Sequence, residues 1–225
     1  MKKKEKNNDN NKTIIAIVAV ALLIALVGGG TYAYWSWRSN NNTAVSFTVS
    51  GGTMTIDGGG NITAKNLAPA ACTNTNYAIQ RKVKVTMSNE TTTPMVGTIK
   101  LNVVGLTASH GTLSSTHTQS LNYALVSVTS SEYSASTWKG CATNVATGTF
   151  SSYSTGSAIT LLNNLSVPAL SGTTAGTATY YYELYIWISP SYTGATSSGT
   201  TITDPMQDLT LNLAWAGSMT NQVWW

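Results

Sequence analysis

The strongest constraint on this chain is an alternation of apolar and polar residues with period two, repeated between residues 45 and 215. It is longest over residues 177–189. There Tyr180, Tyr182, Leu184, Ile186 and Ile188 fall on one side, and Tyr181, Glu183, Tyr185 and Trp187 on the other. Successive side chains of a strand point to opposite faces, so this pattern predicts strands with at least one face in a core. Val45, Phe47 and Val49 repeat the signature. So do Val83, Val85 and Met87, with Lys82, Lys84 and Thr86 on the opposite face. Further strands are expected over residues 96–104, closed by Gly105, and over residues 121–128. A late strand places Leu209, Leu211, Leu213 and Trp215 against Thr210, Asn212 and Ala214. Shorter runs at residues 52–56, 61–66, 143–151 and 158–165 bring the expectation to nine or ten strands.

Gly58-Gly59-Gly60 reads as a hairpin-like break, residues 66–69 and 167–170 as turns, and residues 107–120 and 189–205 as surface loops. After the first 38 residues no stretch has helical periodicity. Many short strands with irregular loops predict an all-β fold, an antiparallel sandwich of jelly-roll type, over residues 45–225. Only 9% of residues are charged, yet 42% are hydrophobic, enough to bury a core and to argue against disorder.

The N-terminal region has a different grammar. A lysine-rich start leads into an uninterrupted apolar stretch, Ile14 to Val27, and then Gly28-Gly29-Gly30-Thr31-Tyr32-Ala33-Tyr34-Trp35. Charged, apolar and small-residue regions in that order make a secretory signal over residues 1–33. Thr31 and Ala33 occupy the −3 and −1 positions of a cleavage site, which makes Tyr34 the mature N-terminus. The alternative is retention as a single-pass anchor formed by residues 14–37. Ile14 to Val27 is shorter than the ~20 residues a bilayer requires, and three glycines weaken a helix by roughly 1 kcal/mol each. Cleavage is therefore the favoured reading. It places the mature domain outside the cell or on its surface, in contact with the membrane during export or, in the alternative, permanently.

Net charge belongs largely to this leader. Lys2, Lys3, Lys4, Lys6 and Lys12 against Glu5 and Asp9 contribute +3 of the total +4. The remainder is nearly neutral, so the basic balance is no argument for nucleic-acid binding. Cys72 and Cys141 are an even count in an exported chain, and one disulfide between them is expected, with two separate thiols as the alternative.

Catalytic signals are sparse. His110 and His117 lie in a Ser/Thr/Gly-rich segment with no carboxylate beside them, and read as solvated loop residues rather than metal ligands. Asp57, Glu90, Glu132, Glu183, Asp204 and Asp208 are scattered, and Asp204 and Asp208 read as a solvated turn, with a shared cation as the alternative. Neither a nucleophile elbow nor a phosphate-binding loop is present, so no catalytic, cofactor or metal site is expected and the chain reads as a non-enzyme. Asn-x-Ser/Thr triplets begin at Asn41, Asn61, Asn89 and Asn164, a number that chance supplies in so Asn-rich a chain. The terminal Trp224 and Trp225 carry no assignment.

The leader Ala25-Leu26-Val27-Gly28-Gly29-Gly30-Thr31-Tyr32-Ala33-Tyr34 resembles that of the TasA/camelysin family of Gram-positive exported proteins. Gly51-Gly52-Thr53-Met54-Thr55-Ile56, Asn66-Leu67-Ala68-Pro69 and residues 83–89 are similar to segments of the same family. Near the C-terminus, Tyr185-Ile186-Trp187-Ile188 and Met206-Gln207-Asp208-Leu209-Thr210-Leu211 look like segments of related Gram-positive surface proteins. The resemblance implies export through a SipW-type signal peptidase, a jelly-roll domain, and assembly into extracellular fibres of a biofilm matrix. It also implies that the mature N-terminal segment completes the sheet of the next subunit, so the partner is a further copy of the chain. The arm here is residues 34–44, with Trp35 and Trp37 as candidate anchors. Some members carry a metallopeptidase label, but this sequence lacks His-Glu-x-x-His. The competing reading is a membrane-tethered adhesion or ligand-binding sandwich.

Overall fold

Ten strands form among the described residues of the computed structural model: β1 (Val45–Val49), β2 (Gly52–Asp57), β3 (Ile62–Ala64), β4 (Ile79–Asn89), β5 (Met95–Thr107), β6 (Leu121–Val128), β7 (Ala146–Thr149), β8 (Ala158–Val167), β9 (Gly176–Ile188) and β10 (Thr210–Asn221). The described residues are 44–49, 51–64, 67–108, 111–193, 204–206 and 209–221. The chain divides into two units, Met1–Asn41 and Asn42–Trp225, and every described residue lies in the second.

All ladders are antiparallel, in a six-stranded sheet of order β1-β2-β4-β9-β6-β7 and a four-stranded sheet of order β3-β10-β5-β8. Counted from β3, the four-stranded sheet holds the first, eighth, third and sixth strands. The partner sheet holds the second, seventh, fourth and fifth. That interleaving is the double Greek key of a jelly roll, the architecture expected from the sequence. The β1–β2 hairpin extends the six-stranded sheet beyond β4. Its register pairs Val49 with Gly52, and Gly51 takes φ +76, the left-handed region that glycine enters without strain.

The core lies between the sheets and is assembled by the period-two pattern. Met54, Ile56, Val83, Val85, Met87, Leu184, Ile186 and Ile188 from one sheet meet Ile99, Leu101, Val103, Leu211, Leu213 and Trp215 from the other, all buried. Gly97 leaves room for this packing, since a Cβ there would press on the ends of the Met54 and Met87 side chains.

Three expectations need correction. Gly58-Gly59-Gly60 joins strands of different sheets, so it is a crossover and not a hairpin. Gly58 is glycine because a Cβ would collide with the Trp215 indole. Gly105 does not end β5. The strand continues to Thr107 through a bulge in which Asn212 pairs with Gly105 and Leu213 with Val103, pushing Val104 out to 48% exposure. The segments between strands also hold two short helices, α1 (Ser115–Thr118) and α2 (Ser130–Ser134). Both start from capping side chains, a signal too short to register as helical periodicity.

Candidate functional site

The outer face of the six-stranded sheet is not left to solvent. On β9, Tyr185 and Glu183 are fully buried on the side facing away from the sandwich core. They lie with Cys72, Val126 and Val128 under a cap formed by residues 129–141 and the turn before β4. Tyr133, Trp138, Tyr181 and Trp187 pack around this second cluster. Cys72 and Cys141 are joined by a disulfide, with a Cα–Cα distance of 6.4 Å.

The cap is pinned to the sheet by charge. Register places Lys82 of β4 directly opposite Glu183 of β9. Lys82 Nζ donates to the carbonyls of Glu132 (2.7 Å) and Tyr133 (2.9 Å), and to that of Ala135. It therefore neutralises the carbonyl end of α2, where a cation is favoured. Its ammonium lies 5.5 Å from the centre of the Trp138 ring and 3.9 Å from Glu183 Oε1. Glu183 Oε2 accepts from Lys139 N (2.8 Å) and the Tyr185 hydroxyl (2.5 Å), and that hydroxyl accepts from Gly140 N (2.8 Å). Burial, then the bond to Glu183, pushes the Tyr185 hydroxyl well above the ordinary phenol range. Glu132, at the start of α2, accepts from Thr129 N (2.7 Å). That bond leads the causes holding its carboxyl below the usual range.

One wall of the cap also lines an open cleft of ≈330 Å³. Tyr77 and Trp138 flank it, with Thr63, Thr75, Asn76, Gln80 and Arg81 among its polar lining. Gln80 Nε2 donates to the Cys72 carbonyl (3.0 Å), tying its floor to the disulfide segment. A second opening of ≈290 Å³ lies at one end of the sandwich, against Pro69, Ile188 and Met206. There Asp204 accepts from the Tyr192 hydroxyl (2.7 Å) and Met206 N (2.9 Å).

The residues singled out in the sequence scatter over this framework. Thr31, Ala33, Tyr34, Trp35, Trp37, His110, Asp208, Trp224 and Trp225 lie outside the described residues. His117 stands in α1, where its Nδ1 is 3.1 Å from Ser114 N and 2.7 Å from Ser114 Oγ, so it works as part of a helix cap. Of the triplet asparagines, Asn61 and Asn164 are exposed and Asn41 is outside the described residues. Asn89 is fully buried. It donates to the carbonyls of Thr93 (2.8 Å) and Pro168 (3.0 Å) and accepts from Thr91 N (2.9 Å) and Thr91 Oγ1 (2.7 Å). Glu183 was one scattered acid in the sequence and became the centre of the buried network. The signal was a single carboxylate inside an aromatic strand, with a lysine on the strand it pairs.

Sheet edges are the other feature with functional meaning. Among the described residues, β3 pairs with β10 only from Leu211 to Leu213, so residues 214–221 of β10 have a ladder partner on the β5 side alone. Trp215 Nε1, on that stretch, is buried without a hydrogen-bond partner among the described residues.

Residues 10–102 match the family described as camelysin metallo-endopeptidase. No curated protein matches the chain. The family's description implies a metal, and among the described residues the donors do not fit one. Both cysteines are oxidised, His117 caps a helix, and Glu183 is committed to Tyr185 and Lys139. Among the described residues no three His, Cys, Asp or Glu side chains converge. The match runs from residue 10 through the strands β1–β4 and most of β5, and agrees with the resemblance read from the sequence: over residues 10–102 this chain is similar to the camelysin family.

Proposed function

We propose that this chain is an exported structural subunit of an extracellular fibre or matrix, joined copy to copy by strand addition once its leader is removed. The camelysin match supports a secreted or cell-surface protein, and the order of the leader residues supports processing before Tyr34. The observation that carries the assembly reading is the one-sided pairing, among the described residues, of β10 over residues 214–221. Such an edge exposes a row of N–H and C=O groups that an extended segment can satisfy, the backbone giving affinity and side-chain pockets giving specificity. The arm of residues 34–44, immediately before β1, is the donor, with Trp35 and Trp37 as its anchors. A head-to-tail contact of this kind does not close on itself and therefore propagates. The proposed role is structural, and no peptidase step is part of it.

Electron microscopy and sedimentation of the processed protein test the reading. Fibres are expected from chains beginning at Tyr34. A chain beginning at Ala44 should stay monomeric, and a free peptide of residues 34–43 should arrest growth of the longer form. Equal polymerisation of both lengths would overturn the donor assignment. The alternative, a tethered binding module, predicts instead an intact Met1 by N-terminal sequencing of cell-surface material.

A further inference from the structure

We propose that the cleft between residues 75–81 and Trp138 is a saccharide-binding site that favours chains bearing carboxylates. Sugar rings present apolar C–H faces and a rim of hydroxyls, so they are held by aromatic side chains flanked by planar or hydroxylic polar groups. The cleft supplies both kinds. Tyr77 and Trp138 stand on its walls, and Thr63, Thr75, Asn76, Gln80 and Arg81 line it. No carboxylate lines it among the described residues, whereas Arg81 does, and a guanidinium recognises a uronic-acid carboxylate by a two-point bond. Its volume of ≈330 Å³ falls at the lower end of the ~300–1,000 Å³ of small-molecule sites.

The walls are rigid before any ligand arrives. They come from two separate segments that are covalently joined, Cys72 beside one and Cys141 beside the other, a sequence separation of 69. The first wall is a braced turn. Asn74 N donates to the Ala71 carbonyl and Ala78 N to the Asn74 carbonyl, each at 2.9 Å, and Asn74 Oδ1 accepts from Asn76 N (3.0 Å) and Tyr77 N (3.3 Å). The second is fixed by the Lys82 ammonium over the Trp138 ring and by the Tyr185 ring, edge-on at 6.0 Å. Holding the Trp138 ring and the Tyr77 backbone in place beforehand removes part of the ordering cost of binding. Tyr77 is 47% exposed, a large side chain that the fold leaves in solvent and that a stacked sugar ring would cover.

Calorimetry and tryptophan fluorescence on the processed protein, with an oligogalacturonate and with a neutral β-glucan oligomer as probes, decide the matter. The acidic probe should bind, and Tyr77→Ala should weaken it at least tenfold with an unchanged thermal midpoint, since that ring is outside the core. Trp138→Phe should retain part of the affinity. Arg81→Gln should remove the preference for the acidic probe while leaving the neutral one unaffected. Absence of binding by either probe, or acidic-probe binding undiminished in Tyr77→Ala, would overturn the site. Equal binding of the two probes by the unaltered protein would overturn the role given to Arg81.

Discussion

Strand β9 runs between two interiors, and the two are held by different means. Its inward side chains, Tyr182, Leu184, Ile186 and Ile188, enter the apolar space between the sheets. Its outward ones, Tyr181, Glu183, Tyr185 and Trp187, enter a smaller interior built from aromatic rings, an ion pair and a disulfide. The first is non-directional and tolerates exchange of one hydrocarbon for another of similar volume. The second is directional. Nearly every group in it has a designated partner, and removing one strands another in a place without water. The difference shows why a jelly roll can place a fixed surface on one sheet: the loops over that face are fastened to it by bonds that only one arrangement satisfies.

The largest test of this contrast is Glu183→Ala, which leaves the Lys82 ammonium facing an emptied interior. Loss of one partner of a buried pair costs roughly 3–5 kcal/mol, and Lys82→Met with Glu183→Leu tests how much of that is the unpaired charge, since Lys82→Met also frees the carbonyls of Glu132, Tyr133 and Ala135. Urea denaturation of the three proteins measures both. A double variant no more stable than Glu183→Ala would show that the network, and not the uncompensated charge, sets the cost. Next is Cys72→Ser with Cys141→Ser. Freeing a loop of this length lowers stability by about 4 kcal/mol on the chain-entropy account. Amide exchange should speed up first over residues 129–141 while β4 and β9 stay protected, and uniform loss of protection would erase the distinction between the two interiors.

The smallest effect belongs to the first interior and to alkaline pH. Burial leads the causes that push both Tyr123 and Tyr182 up to about 12. Their folded forms keep a proton that the unfolded chain gives up near 10, so the stability they contribute is complete below pH 10. It is lost as pH rises from 10 towards about 12. Thermal midpoints across that window should fall in the unaltered protein and fall less steeply in Tyr182→Phe.

Much of the first interior was legible in the sequence, because alternation of apolar residues is itself the instruction for burying one face. Leu209, Leu211, Leu213 and Trp215 were all placed inward by period alone, and all are buried. The second interior was not. Trp138 occupies irregular backbone and Tyr133 a five-residue helix too short to show a period, so neither is tied to a face by the sequence. Lys82, placed by period on a face of cations, is the one that turns inward to cap α2. The order of strands was equally silent, since Gly58-Gly59-Gly60 looks the same whether the chain turns back on itself or crosses to the other sheet. What decides it is the Trp215 indole, which arrives from a strand more than 150 residues later.

Asn89 has a practical bearing on how this protein is made. It is an acceptor triplet by sequence, yet its amide is fully engaged, bridging Thr91, Thr93 and Pro168 at the end of β4. A eukaryotic secretory host that attached an oligosaccharide to the nascent chain at this asparagine would take away the nitrogen's contacts before they formed, and the product would stall in quality control. Bacterial expression leaves the Asn89 nitrogen free to meet its two carbonyls, so that corner of the sandwich can close.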